Sequence, residues 1–162
     1  MFKPFDTISE PPTPARKPGC KNNEPDDHAD TLARTIYGDA RGETLDGMEA
    51  VANVILNRYE IARRHENGYW WGSTIKDICL RPAQFSCWNK NDPNRLVMER
   101  VSSDNPIFAI CQRIARRSVA GVLRDNTHGA THYHARQIMP DWAMDEIPVA
   151  KIGHHIFYRL VK

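Results

Sequence analysis

A mainly α-helical single domain with a small β element (α+β) is what this sequence predicts, on three observations. Residues Asp30 to Tyr59 read as two amphipathic helices joined by a break at Gly42. Asn105 to Gly121 repeats a helical apolar spacing, whereas Gly153 to Tyr158 alternates loosely, as a short strand does. The chain has 162 residues, 41% hydrophobic and 26% charged, a size and balance that suit one core without staples.

The stretch Met1 to Asp27 holds six of the eleven prolines and few large apolar residues, so residues 1–27 are expected to be a disordered, Pro-rich tail and 28–162 the folded domain. In the first helix Leu32, Ala33, Ile36 and Ala40 form one apolar stripe, and Asp39 falls on it, seven residues after Leu32. The second helix is expected to start at Asp46, with Glu49 completing a capping box. Its core face is Met48, Val51, Ala52, Ile55 and Tyr59, with Asn53 and Asn57 placed to bond the facing loops. Ile61 to Glu66 prolongs it until Asn67-Gly68.

After the aromatic cluster Tyr69-Trp70-Trp71, Ser73 is expected to cap a short helix through Leu80, which Arg81-Pro82 ends. Gln84 to Trp88 reads as a strand or ordered loop, its alternation placing Gln84, Ser86 and Trp88 on one side. Asn89 to Asn94 is a polar turn. Pro106 opens the next helix, with Ile107, Cys111, Ile114, Ala115 and Val119 facing the core and Gly121 ending it. Met139 to Ala143 reads as a turn, and Gly153 to Tyr158 as a strand packing back on the body.

The formal net charge of +2, with no Lys/Arg run longer than two, gives no nucleic-acid footprint. No segment approaches a membrane span, and the N-terminus lacks a signal-peptide core. Cys20, Cys79, Cys87 and Cys111 form no CxxC pair; a Cys79–Cys87 bridge is conceivable, and free buried thiols are expected.

Two constellations carry possible chemistry. Asp39 and Glu43 flank the helical corner, and a carboxyl on an apolar face is costly to bury ionised, so its pKa rises unless it is paired. Pairing with Arg34 or Arg41 would instead make Asp39 a structural pin. The second constellation is Asp125 to His134, with His128, His132 and His134 in H-x-x-x-H-x-H spacing; with Asp125 or Asp141 it could form a zinc site, which would make the protein a peptidase or amidase. The polar-aromatic side of Gln84, Ser86 and Trp88 suits a sugar, whose hydroxyls need partners while its C–H face packs on rings; an ordinary buried turn is the alternative.

Read together, LARTIYGDARGETLDGMEAVANVILNR, QFSCW and GATHYHA…PDWA…IGHHIFYR resemble, in order and spacing, the SleB/CwlJ-type cell wall hydrolases. The resemblance spans about Thr31 to Leu160. It implies a lysozyme-like domain that cleaves peptidoglycan glycan strands between N-acetylmuramic acid and N-acetylglucosamine, as a muramidase or lytic transglycosylase, without metal or cofactor. The family's usual motif is E-A-R-G-E, and its first Glu, taken as the catalytic acid, is Asp39 here; the second is kept as Glu43. Asp reaches roughly 1.5 Å less far, a displacement that can cost about a hundredfold in rate. Both Asp39 and Glu43 therefore stand as candidate acids, with Arg41 a candidate to orient them. The resemblance also implies that Gln84, Ser86, Thr131 and Tyr133 line the cleft, with Trp88 as a wall and His132 adding polar contacts. A zinc-dependent amidase and a catalytically inactive wall-binding module are the alternatives. The expected partner is the glycan strand. The expected context is a monomer made in the cytoplasm that reaches the wall through a holin, a phage-like particle or lysis.

Overall fold

The structure, a computed structural model, describes residues 24–161. It contains five α-helices: α1 (Glu24–Ala40), α2 (Leu45–Ala62), α3 (Ile75–Leu80), α4 (Asn94–Arg100) and α5 (Pro106–Val119). Three strands follow, β1 (His132–Ala135), β2 (Ala150–Ile152) and β3 (His155–Tyr158), forming one antiparallel sheet in the order β1-β3-β2. This is the predicted class, mainly helical with a small sheet. Of the expected tail 1–27, residues 1–23 lie outside the described residues and 24–27 are helical, because α1 begins at Glu24, ahead of the start expected at Asp30.

Helix α1 is the centre of the molecule, touching α2, α3, α4 and α5. Its expected stripe of Leu32, Ala33, Ile36 and Ala40 is buried, and so are Thr31, Thr35 and Tyr37, because neighbours surround the helix. Buried Thr35 stays satisfied: its hydroxyl donates to the Thr31 carbonyl (2.7 Å) and accepts from Trp88 Nε1 (2.9 Å).

Helix α2 buries two faces. Met48, Val51, Ala52 and Ile55 enter the main core, while Ala50 and Val54 form a second cluster with Ala130 and Phe157 beneath the sheet. A single stripe was the expectation, and the sheet covering the other face explains the difference. Asn53 and Asn57 bond the facing loop as expected, donating to the carbonyls of Arg124 and Ala130 (both 3.0 Å).

Several boundaries differ from the sequence reading. Thr44, not Asp46, caps α2 by accepting from Gly47 N, and Glu49 pairs with Arg117 (2.7 Å) instead of closing a box. The helix stops at Ala62, short of Glu66. Thr74 rather than Ser73 caps α3, in a capping box with Asp77. Gln84 to Trp88 is not a strand: Ser86–Trp88 is a 3-10 turn, which abolishes the expected alternation. Helix α4 was unforeseen, because it buries only Met98 and leaves Leu96 and Val97 exposed, so no stripe marks it. In α5 the core side uses Phe108 while Ile107 is exposed, and Asn105 caps the helix through the amides of both.

Candidate active site

The C-terminal end of α1 delivers Asp39 to the edge of the sheet. There the Tyr133 hydroxyl, from β1, donates to Asp39 Oδ2. Asp39 bonds neither Arg34, which holds Asp30 (2.8 Å), nor Arg41, which holds Asn94 Oδ1 (2.5 Å). The structural-pin alternative therefore has no cation to rest on, and Arg41 does not orient the carboxylates. Burial raises the Asp39 pKa above the usual carboxylate range, and the Tyr133 bond, His155 and the Cys87 thiol only partly offset that. Burial, with the neighbouring Asp39, pushes Tyr133 well above its ordinary value, so the phenol serves as a donor.

Glu43 sits just ahead of the Thr44 cap, its side chain only 7% exposed. It is tied to the β2–β3 turn: Oε2 accepts from the His154 amide (3.1 Å), Oε1 lies 3.1 Å from His154 Nδ1 and 3.5 Å from His155 Nδ1. Two glycines make room for it. A Cβ on Gly47 would stand 2.9 Å from Oε2, and one on Gly153, at φ +56°, would stand 1.9 Å from it. His155 links the two acids. Burial lowers its pKa, against the pull of Glu43 and Asp39, and its ring meets Tyr133 edge-on at 5.1 Å. Buried Nδ1 finds no hydrogen-bond partner among the described residues.

Beneath this pair lies Arg58, whose Nε donates to the Thr131 carbonyl (2.7 Å) and whose Nη1 donates to Gln84 Oε1 (3.1 Å). Its guanidinium stacks over Trp71 and Phe85, and burial draws its pKa down to about 10, leaving it cationic at neutral pH. Gln84 is thus half-buried and committed to Arg58.

The other expected cleft residues divide. Thr131 is fully buried and does not line an open cleft: its hydroxyl oxygen accepts from Leu160 N (3.2 Å) and meets His132 Nδ1 (3.0 Å). Trp88 is half-buried against α1, and Ser86 is exposed. His132 is half-buried on β1, and burial together with Arg58 lowers its pKa to about 4, so the ring is neutral.

The histidines do not converge. His128 lines a separate cavity with Arg64, His65 and Arg159, and Asp125 is occupied organising its own turn, accepting from the amides of Thr127 (2.8 Å) and Gly129 (2.7 Å). His134 Nδ1 meets the Ala135 carbonyl and Nε2 the Tyr158 hydroxyl. Among the described residues no three His, Cys, Asp or Glu side chains are placed to share one ion. Cys79, Cys87 and Cys111 are free and buried, with Cys79 pushed up to about 12 by burial. No helix among the described residues is long and apolar enough to cross a membrane.

Sequence reasoning missed the roles of Gly153, His154, His155 and Arg58. A Gly-His-His turn signal was present, but nothing local tied it to Glu43, 111 residues away.

Comparison with known proteins places residues 42–158 in a match to the family described as Cell Wall Hydrolase. The spore cortex-lytic enzyme of Halalkalibacterium halodurans is 28% identical over 135 residues, covering 82% of this chain and 34% of that protein. That of Bacillus subtilis is 26% identical over 129 residues, covering 78% and 35%. The chain thus spans about a third of the length of these relatives. Among solved structures, the catalytic domain of the Bacillus cereus SleB protein superposes with a TM-score of 0.62 at 22% identity, covering 90% of this chain and 99% of that one. The catalytic domain of the germination-specific lytic transglycosylase SleB from Bacillus anthracis does so with 0.55 at 24%, covering 89% and 100%. At these identities the likeness is one of fold.

Proposed function

Because this chain belongs to the cell wall hydrolase family, we propose that it cleaves peptidoglycan glycan strands between N-acetylmuramic acid and N-acetylglucosamine, with Asp39 as the proton donor. The observation that carries this reading is the partly buried Asp39 carboxyl, raised in pKa and held through one oxygen by Tyr133. A carboxyl kept neutral near neutral pH can protonate a leaving sugar oxygen.

Glu43, fastened to the β2–β3 turn, is a positioning residue on this reading: it fixes β3 and, through the pairing of Phe157 with Tyr133, the phenol that holds Asp39. One carboxylate then does the chemistry, and this favours lytic transglycosylation. Asp39 gives its proton to the O4 atom that leaves with N-acetylglucosamine. The muramyl C6 hydroxyl attacks C1 to close a 1,6-anhydro ring, and its proton returns to Asp39. The Bacillus anthracis neighbour is a germination-specific lytic transglycosylase, which supports the same choice. The site of action is the wall; access through a holin or phage-like particle, and the monomeric state, belong to the same proposal and rest on the sequence reading.

Mass spectrometry of material released from purified sacculi tests the reading. Anhydromuramyl ends are expected. Reducing muramyl ends would mean hydrolysis, release of stem peptides alone would overturn glycan cleavage, and sedimentation with sacculi without release would leave a binding module.

A further inference from the structure

The cavity that His128 lines has a volume of about 320 Å³. Three segments bring basic side chains to it: Arg64 and His65 just past α2, His128 in the turn before β1, and Arg159 just past β3. Carbonyls at a helix C-terminus attract cations, which accounts for Arg64. They do not account for Arg159, which arrives from a distant part of the chain. The 18 residues of α2 span about 27 Å at 1.5 Å each, and Glu43 and Arg64 flank its opposite ends, so this cavity is separate from the Asp39 site.

Its guanidinium groups have donors to spare. Among the described residues neither Arg64 nor Arg159 has a carboxylate partner or a hydrogen-bond acceptor. The acid in the lining, Glu60, is engaged by Arg63 (3.1 Å), and Asn57 spends its amide inward on the Ala130 carbonyl (3.0 Å). Arg159 is nonetheless braced: it packs over Gly129, where a Cβ would stand 3.5 Å from its Cδ and 3.6 Å from its Nε. His128 and Gly129 both take a positive φ (+56° and +82°), and Asp125 fixes their turn through the amides of Thr127 and Gly129. A lining of one sign concentrates anions, and a braced guanidinium loses less freedom on binding one.

We propose that this cavity binds a free carboxylate of a peptidoglycan stem peptide, with Arg64 and Arg159 as the donors. A guanidinium fork matches the two oxygens of a carboxylate. The volume suits the amino acid that carries the carboxylate and not only a bare ion, since small-ligand sites run to roughly 300–1,000 Å³. Stems hang from alternate sugars of a glycan strand. One held this far from Asp39 belongs to another disaccharide or to a neighbouring strand, so the contact grips the wall without obstructing the cut. The proposal rests on peptidoglycan as the substrate in the reading above, and not on which of its bonds is broken.

Nuclear magnetic resonance titration of the labelled full chain at low salt tests it, with tetrapeptide stems freed from peptidoglycan by an amidase as the probe. Saturable shifts are expected at the amides of Arg64, His128, Gly129 and Arg159. R64Q/R159Q should bind about tenfold more weakly or worse, and R64K/R159K should lose less, because lysine keeps the charge but not the fork. Both arginines are exposed, so neither variant should disturb the fold. Unchanged affinity in R64Q/R159Q, or equal binding of stems whose carboxylates are methyl esters, would overturn the proposal. Saturable shifts with inorganic phosphate but not with stems would overturn it in favour of a phosphate-bearing ligand. Release of muropeptides from sacculi by a chain that binds no stem would sink the cavity's role alone; stem binding by a chain that releases nothing would sink the cleavage reading and leave the cavity's role standing.

Discussion

Tyr133 and Asp39 lie 94 residues apart in the chain, and the fold brings the phenol of one onto the carboxyl of the other. The bond keeps a buried acid oriented without a cation to ionise it. Its contribution has a definite sign: it lowers the Asp39 pKa against the larger effect of burial. Replacing Tyr133 by Phe removes that lowering, so Asp39 holds its proton to still higher pH. The basic limb of the pH–rate profile should move upward, while the rate at its optimum falls about tenfold through lost orientation. A limb that stays in place or moves to lower pH would show that Tyr133 does not act on the acid.

Glu43 and Gly153 should behave as a coupled pair. Glu43→Gln removes the charge facing His154 and His155, and unfolding stability should drop by about 1–3 kcal/mol while glycan cleavage persists at reduced rate. Gly153→Ala places a Cβ against Glu43 Oε2 at a positive φ, a strain of about 1–3 kcal/mol. Shortening the acid relieves the clash, so the loss in Glu43→Ala/Gly153→Ala should be smaller than the sum of the single losses in urea unfolding. Additive losses would contradict the contact.

Stability against pH should carry two opposed signatures. His132 has a folded pKa of about 4 against an ordinary 6.5, so the unfolded chain binds more protons in that window and stability falls as pH drops from 6.5 towards 4. Asp39, raised above 3.8, adds the opposite slope: its contribution is lost as pH rises through its folded pKa. Urea unfolding across pH 4 to 7 should show a shallower acid-side loss in His132→Asn. In Asp39→Asn the stability lost on raising the pH should disappear.

Much of this site was legible in the chain, for physical reasons that differ by residue. Asp39 interrupts an apolar stripe of α1, and periodicity alone exposes such an interruption. Tyr133 lies in a Thr-His-Tyr-His run that alternates as a strand. Glu43 was legible as a candidate but not as a tether, because His154 and Gly153 meet it only through tertiary packing. Thr131 and Gln84 look like cleft residues in sequence, yet each is spent on a tertiary partner, Leu160 N and Arg58, that no local pattern announces. Helix α4 escaped for want of an apolar face, and the Gln84 segment for being too short to separate a strand from a 3-10 turn.

The central claim is that Asp39, and not Glu43, gives the proton. It is tested most directly by the rate of muropeptide release from sacculi by Asp39→Asn and Glu43→Gln, each checked for a native circular dichroism spectrum. Asn can still accept from Tyr133 but has no proton to give, so the account predicts a loss of about a hundred- to ten-thousandfold for Asp39→Asn and a far smaller one for Glu43→Gln. Near-native release by folded Asp39→Asn, with release abolished in Glu43→Gln, would contradict it.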